Sequence, residues 1–272
     1  MSGITEPRGW TKGALAATSW LVYFFFYAPI LVLIIFSFSD SRNASVWGGF
    51  TTSWYSDFAS DSELTGALWN SLRIAVVATL VSVVLGTMSA IALERFRFRG
   101  QRVFDALLYL PVIIPDVTMA VMLLLFFAQA ANWFGFSKGF GTIALSHIAF
   151  CISFVSIVVR ARLAGMDDKL EEAAMDLYAS RWQAFRHVTL PLIMPGILGG
   201  GLLAMTLSLD DVVITQFVTG GGWSTLPVYV FSLIRKGVTP LINAVSVVML
   251  VASMVLVALS LLAQRLRGDD AI

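Results

Sequence analysis

Six long apolar stretches, separated by shorter polar ones, set the pattern of the chain. Those that meet the ~20-residue requirement for crossing a bilayer lie at about 17–38, 70–93, 104–131, 142–163, 191–214 and 240–263. Each predicts a membrane-spanning helix, because a backbone surrounded by hydrocarbon must satisfy its own polar groups. Pro29 sits inside the first stretch. The third contains Leu110-Pro111-Val112-Ile113-Ile114-Pro115-Asp116, where a proline pair breaks the helical ladder. Such a break is tolerated where the helix faces protein or a water-filled cavity. The fifth carries Gly196 and Gly199-Gly200-Gly201, which suit close helix packing, and then Asp210-Asp211 near its far end.

Between the fourth and fifth stretches lies a polar segment, residues 167–195, with a different period. Asp168 is placed to cap a short helix, with Glu171 three residues on as the reciprocal partner of a capping box. That helix is expected over about 169–177, and its small pair Ala173-Ala174 would let another surface approach closely. Ser180 and Gln183 repeat the capping-box spacing for a second helix, on which Trp182, Phe185 and Val188 form one apolar stripe. Pro191 then opens the next long helix. The segment reads as helix, tight turn, helix, either as an ordinary connection or as a surface for another protein.

Composition narrows the class. Hydrophobic residues make up 58% of the 272-residue chain and charged residues only 13%, and the mean hydropathy is +0.82. A soluble domain could not hide that much apolar surface, so the protein is polytopic. The net charge of +1, with no basic cluster interleaved with aromatics beyond the short turn Arg95-Phe96-Arg97-Phe98-Arg99, which a positive-inside anchor explains, gives no reason to expect nucleic acid. The lone Cys151 excludes an internal disulfide and has no companions for a metal site. Gly220-Gly221-Gly222 lacks the Lys-Ser/Thr of a phosphate-binding loop. No nucleophile–base set suggests catalysis. The first apolar stretch is too long for a signal peptide and is expected to be retained.

Positive charge sets the topology. Arg8, Lys12, Arg95, Arg97, Arg99, Arg102, Arg160, Arg162, Lys169, Arg181, Arg186, Arg265 and Arg267 fall on one side; Arg42, Lys138, Arg235 and Lys236 fall on the other. Both termini and the 167–195 segment are therefore expected on the cytoplasmic side. The longest outer loop, 39–69, holds Trp47, Phe50, Trp54, Tyr55 and Phe58. It reads as an interfacial aromatic belt that also suits docking of a soluble binding protein. His147 in the fourth span reads as a packing or hydrogen-bonding residue.

Candidate chemistry rests on Asp116, Asp210 and Asp211. A carboxylate at mid-membrane costs roughly 2.5–3.5 kcal/mol on insertion scales. Asp116 is therefore either functional or bonded to the backbone N–H groups freed by the proline break. If both helices stay regular, Val103 to Asp116 rises roughly 20 Å and Leu192 to Asp210 roughly 27 Å, placing all three acids in the outer half. Adjacent helical residues point about 100° apart, so one of Asp210 and Asp211 is expected to face a cavity and the other a neighbour, a backbone group or the interface. With no Lys or Arg in either span, the acids suit a cationic substrate, protonation or a partner's positive group.

Glu172-Ala173-Ala174, Asp176-Leu177, Ala179-Ser180, Phe185, Val188 and Leu190-Pro191 resemble the EAA loop of ABC importer membrane subunits. The resemblance implies an all-α polytopic protein with six transmembrane helices of the type I importer kind. Its cytoplasmic coupling helix would dock on an ATPase through Glu171, Glu172, Ala173, Ala174, Asp176, Leu177, Tyr178 and Ala179. The family usually has Gly at the place of Tyr178; Tyr there is strained, or the turn differs. Ile114-Pro115-Asp116-Val117, Ser146-His147-Ile148-Ala149-Phe150-Cys151, Ser208-Leu209-Asp210-Asp211-Val212-Val213, Phe217-Val218-Thr219-Gly220 and Leu226-Pro227 further resemble the second permease subunit of spermidine/putrescine importers.

That resemblance implies Asp116, Asp210 and Asp211 as polyamine contacts and a location in the bacterial inner membrane. The implied partners are an ATPase dimer that holds ATP and Mg, a second permease subunit, a soluble or lipid-anchored polyamine-binding protein, and lipid. No cofactor is expected on this chain itself. The implied organisation is a tail over 1–16, a six-helix permease domain over 17–263 with the coupling segment at 167–190, and a tail over 264–272. A permease for another solute, an ion-coupled carrier using the acids, and a scaffold whose partner supplies the substrate contacts are the alternatives.

Overall fold

The computed structural model describes residues 9–268 apart from 45, 136, 168 and 238. The capping expectation at Asp168 and the charge at Arg8 lie outside the described residues. The elements are α1 (Gly9–Phe36), α2 (Ser53–Ser60), α3 (Ser62–Arg95), α4 (Gln101–Ile113), α5 (Asp116–Phe134), α6 (Phe140–Leu163), α7 (Lys169–Asp176), α8 (Arg181–Ala184), a π-helical turn (Phe185–Thr189), α9 (Leu190–Asp210), α10 (Val213–Val218), α11 (Leu226–Lys236) and α12 (Pro240–Gly268). Six helical stretches among the described residues are long and apolar enough to cross a membrane: Lys12–Phe36, Ser62–Arg95, Asp116–Phe134, Phe140–Leu163, Arg181–Asp210 and Pro240–Ala258.

Two of the expected spans are corrected. The stretch 104–131 is not one regular helix. Ile114 (φ −74°, ψ 133°) and Pro115 (φ −57°, ψ 138°) are extended, so α4 ends and Asp116 begins α5. Proline restricts the residue before it to extended conformations and cannot donate into the ladder. The depth count that assumed a continuous helix to Asp116 therefore does not hold. The stretch 191–214 stops at Asp210, because Asp211 is extended (φ −67°, ψ 126°) before the short α10. The segment expected as an outer loop, 215–237, holds most of α10 and all of α11.

Two compact units divide the chain. One comprises residues up to 61 together with 233–251. In it the loop after α1 closes by a bridge between Ser39 and Phe50. Ser39 Oγ donates to the Val46 carbonyl at 2.9 Å and accepts from Gly48 N–H at 3.1 Å. The aromatic residues of this loop divide. The Trp54 indole N–H donates to Ser39 O at 2.8 Å, and the Tyr55 hydroxyl meets Ser37 Oγ at 2.8 Å. Trp47 and Phe50 stay exposed.

The other unit, residues 62–232 with those from 252 on, is built on α3, α6 and α9 packed together. Lipid supplies no hydrophobic drive between helices, so association depends on close packing of small residues. The glycines supply it. A Cβ on Gly86 of α3 would lie 2.8 Å from Val155 Cβ and 3.0 Å from the Ile152 carbonyl of α6. On α9, a Cβ at Gly196 would meet Arg162 Cγ at 2.7 Å, one at Gly200 would meet Val155 Cα at 3.2 Å, and one at Gly201 would meet Val83 Cγ2 of α3 at 3.0 Å. Around these contacts Ile74, Val155, Val159, Ile193 and Ala204 form a core closed to solvent.

Gly86→Val should overpack this seam and destabilise the unit by about 1–3 kcal/mol, read as a lower thermal midpoint of the purified protein. Gly66→Ala, on the same helix but with nothing within 4 Å of the new methyl, should leave the midpoint unchanged or slightly raised.

Candidate functional site

The three membrane carboxylates have different surroundings. Asp116 is exposed in the first turn of α5, where the helix dipole favours negative charge. Asp210 is exposed at the last position of α9. It continues a stripe formed by Leu192, Pro195 and Leu203, all exposed, while Gly196, Gly200, Ala204 and Ser208 of α9 are buried. Asp211 turns inward, its side chain only 10% exposed. Its carboxylate accepts from Ile214 N–H at 3.2 Å, Thr215 N–H at 2.7 Å and the Thr215 hydroxyl at 2.7 Å. It thus caps α10, meeting backbone donors that a helix start leaves open. Backbone bonding of the kind considered for Asp116 is found at Asp211 instead. No hydrogen bond or ion pair among the described residues joins the three acids to one another.

Behind Asp211 stands His147 of α6, fully buried. Its Nδ1 lies 2.7 Å from Ser208 Oγ of α9, its Nε2 2.9 Å from Thr215 Oγ1 and 3.4 Å from Asp211 Oδ2. The hydrogen-bond roles form one consistent chain. The Thr215 hydroxyl spends its hydrogen on Asp211, so it accepts from Nε2–H, and Nδ1 pairs with the Ser208 hydroxyl. The sequence marked His147 only as a packing or hydrogen-bonding residue and gave no sign of Ser208 or Thr215 as its partners. Their separations, 61 and 68 residues, lie beyond any local period.

The coupling segment folds as helix, turn, helix. α7 ends in paired backbone bonds, Ala179 N–H to Ala174 O at 3.1 Å and Tyr178 N–H to Met175 O at 3.0 Å. These are the two bonds of a Schellman motif. The residue between must adopt positive φ, and Tyr178 does so at φ 66°, alone among the described non-glycine residues. The turn is the one Gly would make, with the strain carried by Tyr. Its side chain is 99% exposed. Ser180 and Gln183 form the expected capping box, Gln183 N–H donating to Ser180 Oγ at 3.3 Å and Ser180 N–H to Gln183 Oε1 at 2.7 Å. Trp182 and Phe185 stack with ring centroids 5.5 Å apart. Ala174, Leu177, Tyr178, Ala179, Gln183 and Val188 contribute to an open groove of about 320 Å³.

Ion pairs fasten this segment to the helix ends. Arg95, the last residue of α3, pairs with Glu171 of α7. The neighbouring Glu94 accepts from Arg160 Nε of α6 at 2.8 Å, and Arg160 Nη1 reaches Asp105 of α4 at 2.5 Å. Glu171 is thus held within the chain, whereas Glu172, Ala173, Asp176 and Leu177 are exposed. In the sequence Arg160 is legible only as a topology charge, and nothing local marks Asp105, 55 residues away, as its partner.

Six apolar helical stretches among the described residues, with this polar helix–turn–helix between the fourth and fifth, are the layout of a multi-pass membrane transport subunit. The chain belongs to the binding-protein-dependent transport system inner membrane component family, whose pattern matches residues 82–267. It is 45% identical over 233 residues to the putrescine transport system permease protein PotI of Escherichia coli (strain K12), covering 85% of this chain and 83% of that one. It is 40% identical over 244 residues to the spermidine/putrescine transport system permease protein PotC of the same strain, covering 90% and 91%. Among solved structures, it is similar to a chain of a bacterial ABC transporter involved in the import of the acidic polysaccharide alginate (TM-score 0.74, 17% identity, 97% of both chains). It is also similar to a chain of the MetNI methionine ABC transporter (TM-score 0.64, 18% identity, 75% of this chain and 95% of that one). At those identities the likeness is one of fold. The protein is a permease component of an ABC importer in the inner membrane, a transport subunit and not a catalyst.

Tyr178→Gly should relieve the left-handed strain, which costs an L-residue roughly 1–2 kcal/mol, partly offset by the greater chain entropy of glycine. The expected net gain is about 1 kcal/mol, seen as slower amide exchange across residues 174–180. Tyr178→Ala, which keeps the Cβ, should show none.

Proposed function

We propose that this chain forms one half of the translocation path of a polyamine importer, carrying putrescine or spermidine inward by alternating access. The observation that carries the reading is Asp210. It is an exposed carboxylate with no protein partner among the described residues, at the end of an uncovered stripe on a helix without Lys or Arg. A carboxylate is too costly to leave against lipid, and a multiply cationic amine in a water-filled path offsets that cost. The 45% and 40% identities to permeases named for putrescine and spermidine support the same substrate class.

In this reading Asp210 contacts the passing ammonium groups, and Asp116, exposed at the N-terminal break of α5, offers a second contact. Asp211 borders the path through the elbow that it caps. A second, homologous permease subunit completes the cavity, and a soluble or lipid-anchored binding protein delivers the polyamine. The coupling segment, with both termini on the same cytoplasmic side, sits on a separate ATPase dimer that holds ATP and Mg. Glu172, Ala173, Asp176, Leu177 and Tyr178 are the residues that it presents there, with Ala174 and Ala179 lining the groove beside them and Glu171 anchoring α7 through Arg95. ATP binding moves the segment and opens the cavity outward; hydrolysis returns it. Substrate must bind the two states with different affinity for the cycle to be coupled. An ion-coupled carrier would leave the coupling segment without a role.

The test is uptake of labelled putrescine and spermidine by cells lacking their own importers and expressing this chain with its partner subunits. ATP-dependent uptake is expected. Asp210→Asn should reduce it about tenfold or more, in line with loss of a charged hydrogen bond, while the complex still assembles in the membrane. An assembled complex that imports neither polyamine would refute the substrate assignment.

A further inference from the structure

The elbow between α9 and α10 is held from outside its own chain segment. Asp211 and Val212 interrupt the helix, and an interrupted helix has two ends whose relative direction its own ladder does not set. Here the direction is set by α6. His147 reaches Ser208 on the α9 side of the break with Nδ1 at 2.7 Å, and Thr215 on the α10 side with Nε2 at 2.9 Å. One imidazole therefore spans the break. Asp211, at the break itself, is bound by Thr215 and contacts the same Nε2 at 3.4 Å.

The His147 ring is fully buried and its neighbour Phe150 packs at 5.4 Å between ring centroids. The imidazole thus has no freedom to follow a moving elbow without moving α6. α6 is itself locked to α9 by the glycine contact at Val155. Asp210 is the residue immediately before the break. It belongs to the terminal turn of α9, the part of a helix that frays, so where Asp211 is held decides whether that turn keeps Asp210 on the stripe.

We infer that His147 is a positioning residue for transport: by pinning Ser208, Thr215 and Asp211 together, it keeps Asp210 turned onto the uncovered stripe of α9. The inference rests on the polyamine-path reading for its effect on substrate, but the placement of Asp210 can be measured without any substrate. His147 touches no polyamine in this arrangement and acts only through the elbow.

Two measurements on the assembled complex test it. The first is the rate at which a trimethylammonium methanethiosulfonate reagent, added from outside, modifies Asp210→Cys. The native Cys151 is fully buried and does not compete. Adding His147→Phe, which keeps a ring but deletes both nitrogens, should change that rate at least about fivefold. The rate for Leu203→Cys on the same stripe should stay within about twofold. The second is putrescine uptake with Asp210 intact. His147→Phe should raise the apparent KM about tenfold with Vmax little changed. His147→Gln, which retains an N–H toward Thr215 and an acceptor toward Ser208, should restore most of the difference. If His147→Phe does not assemble, Thr215→Val removes only the hydroxyl bridging His147 and Asp211 and should move both readouts in the same direction by a smaller factor.

Unchanged modification at position 210 overturns the inference whatever the substrate. So does a loss confined to Vmax and to the amount of complex, which marks a purely structural histidine. A wild-type complex that imports no polyamine refutes the substrate reading alone, and the modification rates still decide the role of His147.

Discussion

The close approach of three backbones, α3, α6 and α9, is the constraint on which the larger unit depends. Within a bilayer, apolar side chains gain little by leaving lipid for protein. Helices stay together because their surfaces fit, and here they fit through glycine. Gly86, Gly196 and Gly200 all receive α6, so α6 becomes the element against which the others are measured. Its polar side chains then act as fixed anchors. His147 near one end holds the α9–α10 elbow, and Arg160 near the other holds the end of α3 and the side of α4. The two anchors stand 13 residues apart, roughly 20 Å along a helix. One rigid helix thus carries attachments at both ends of the bundle.

The interruptions of the membrane helices are the second organising feature, and each has a carboxylate beside it. A break frees N–H groups that must be met by something. After α9, Asp211 meets them with its own side chain, and the new helix α10 is capped from within the protein. Before α5 the cap position is held by Pro115, which has no side-chain acceptor, and no side chain caps the helix. Asp116 lies one residue further on, inside the first turn, and remains exposed. The two breaks give one structural acid and one available acid, and the difference lies in where each carboxylate stands relative to the helix start: Asp211 precedes α10 and reaches its open N–H groups, whereas Asp116 is already part of α5.

Much of this was legible in the residues. Span number follows from apolar run length, and the turn at 177–180 follows from the capping spacing of Ser180 and Gln183. Close packing at Gly196 and Gly200 follows from small residues four apart. The break at Pro115 was visible, but its consequence was not: a proline shows that a ladder is broken without showing whether the helix resumes in register, so the depth of Asp116 was miscounted. Sequence also could not divide Asp210 from Asp211. That division is made by His147, Ser208 and Thr215, which meet only after α6, α9 and α10 have packed. The ion pairs of Arg160 with Glu94 and Asp105 were hidden for the same reason, since their partners lie 66 and 55 residues away.

Two adjacent acid pairs, Asp210-Asp211 and Glu171-Glu172, split in the same way, one member turned inward and the other exposed. Within α7 neighbouring side chains diverge by about 100°, so one surface cannot take both glutamates, and after Asp210 the turn to extended backbone at Asp211 separates the second pair. At the coupling segment Glu171 is drawn to Arg95 and Glu172 is left exposed. At the elbow Asp211 is drawn to Thr215 and His147 and Asp210 is left exposed. In each pair the inward acid costs little because it is paired and hydrogen-bonded. By fixing the backbone, it also sets the direction in which its neighbour points. An outward acid is useful to a partner or a cation only if its direction is set. The inward member of each pair is therefore part of the outward member's function, although it is turned away from whatever arrives.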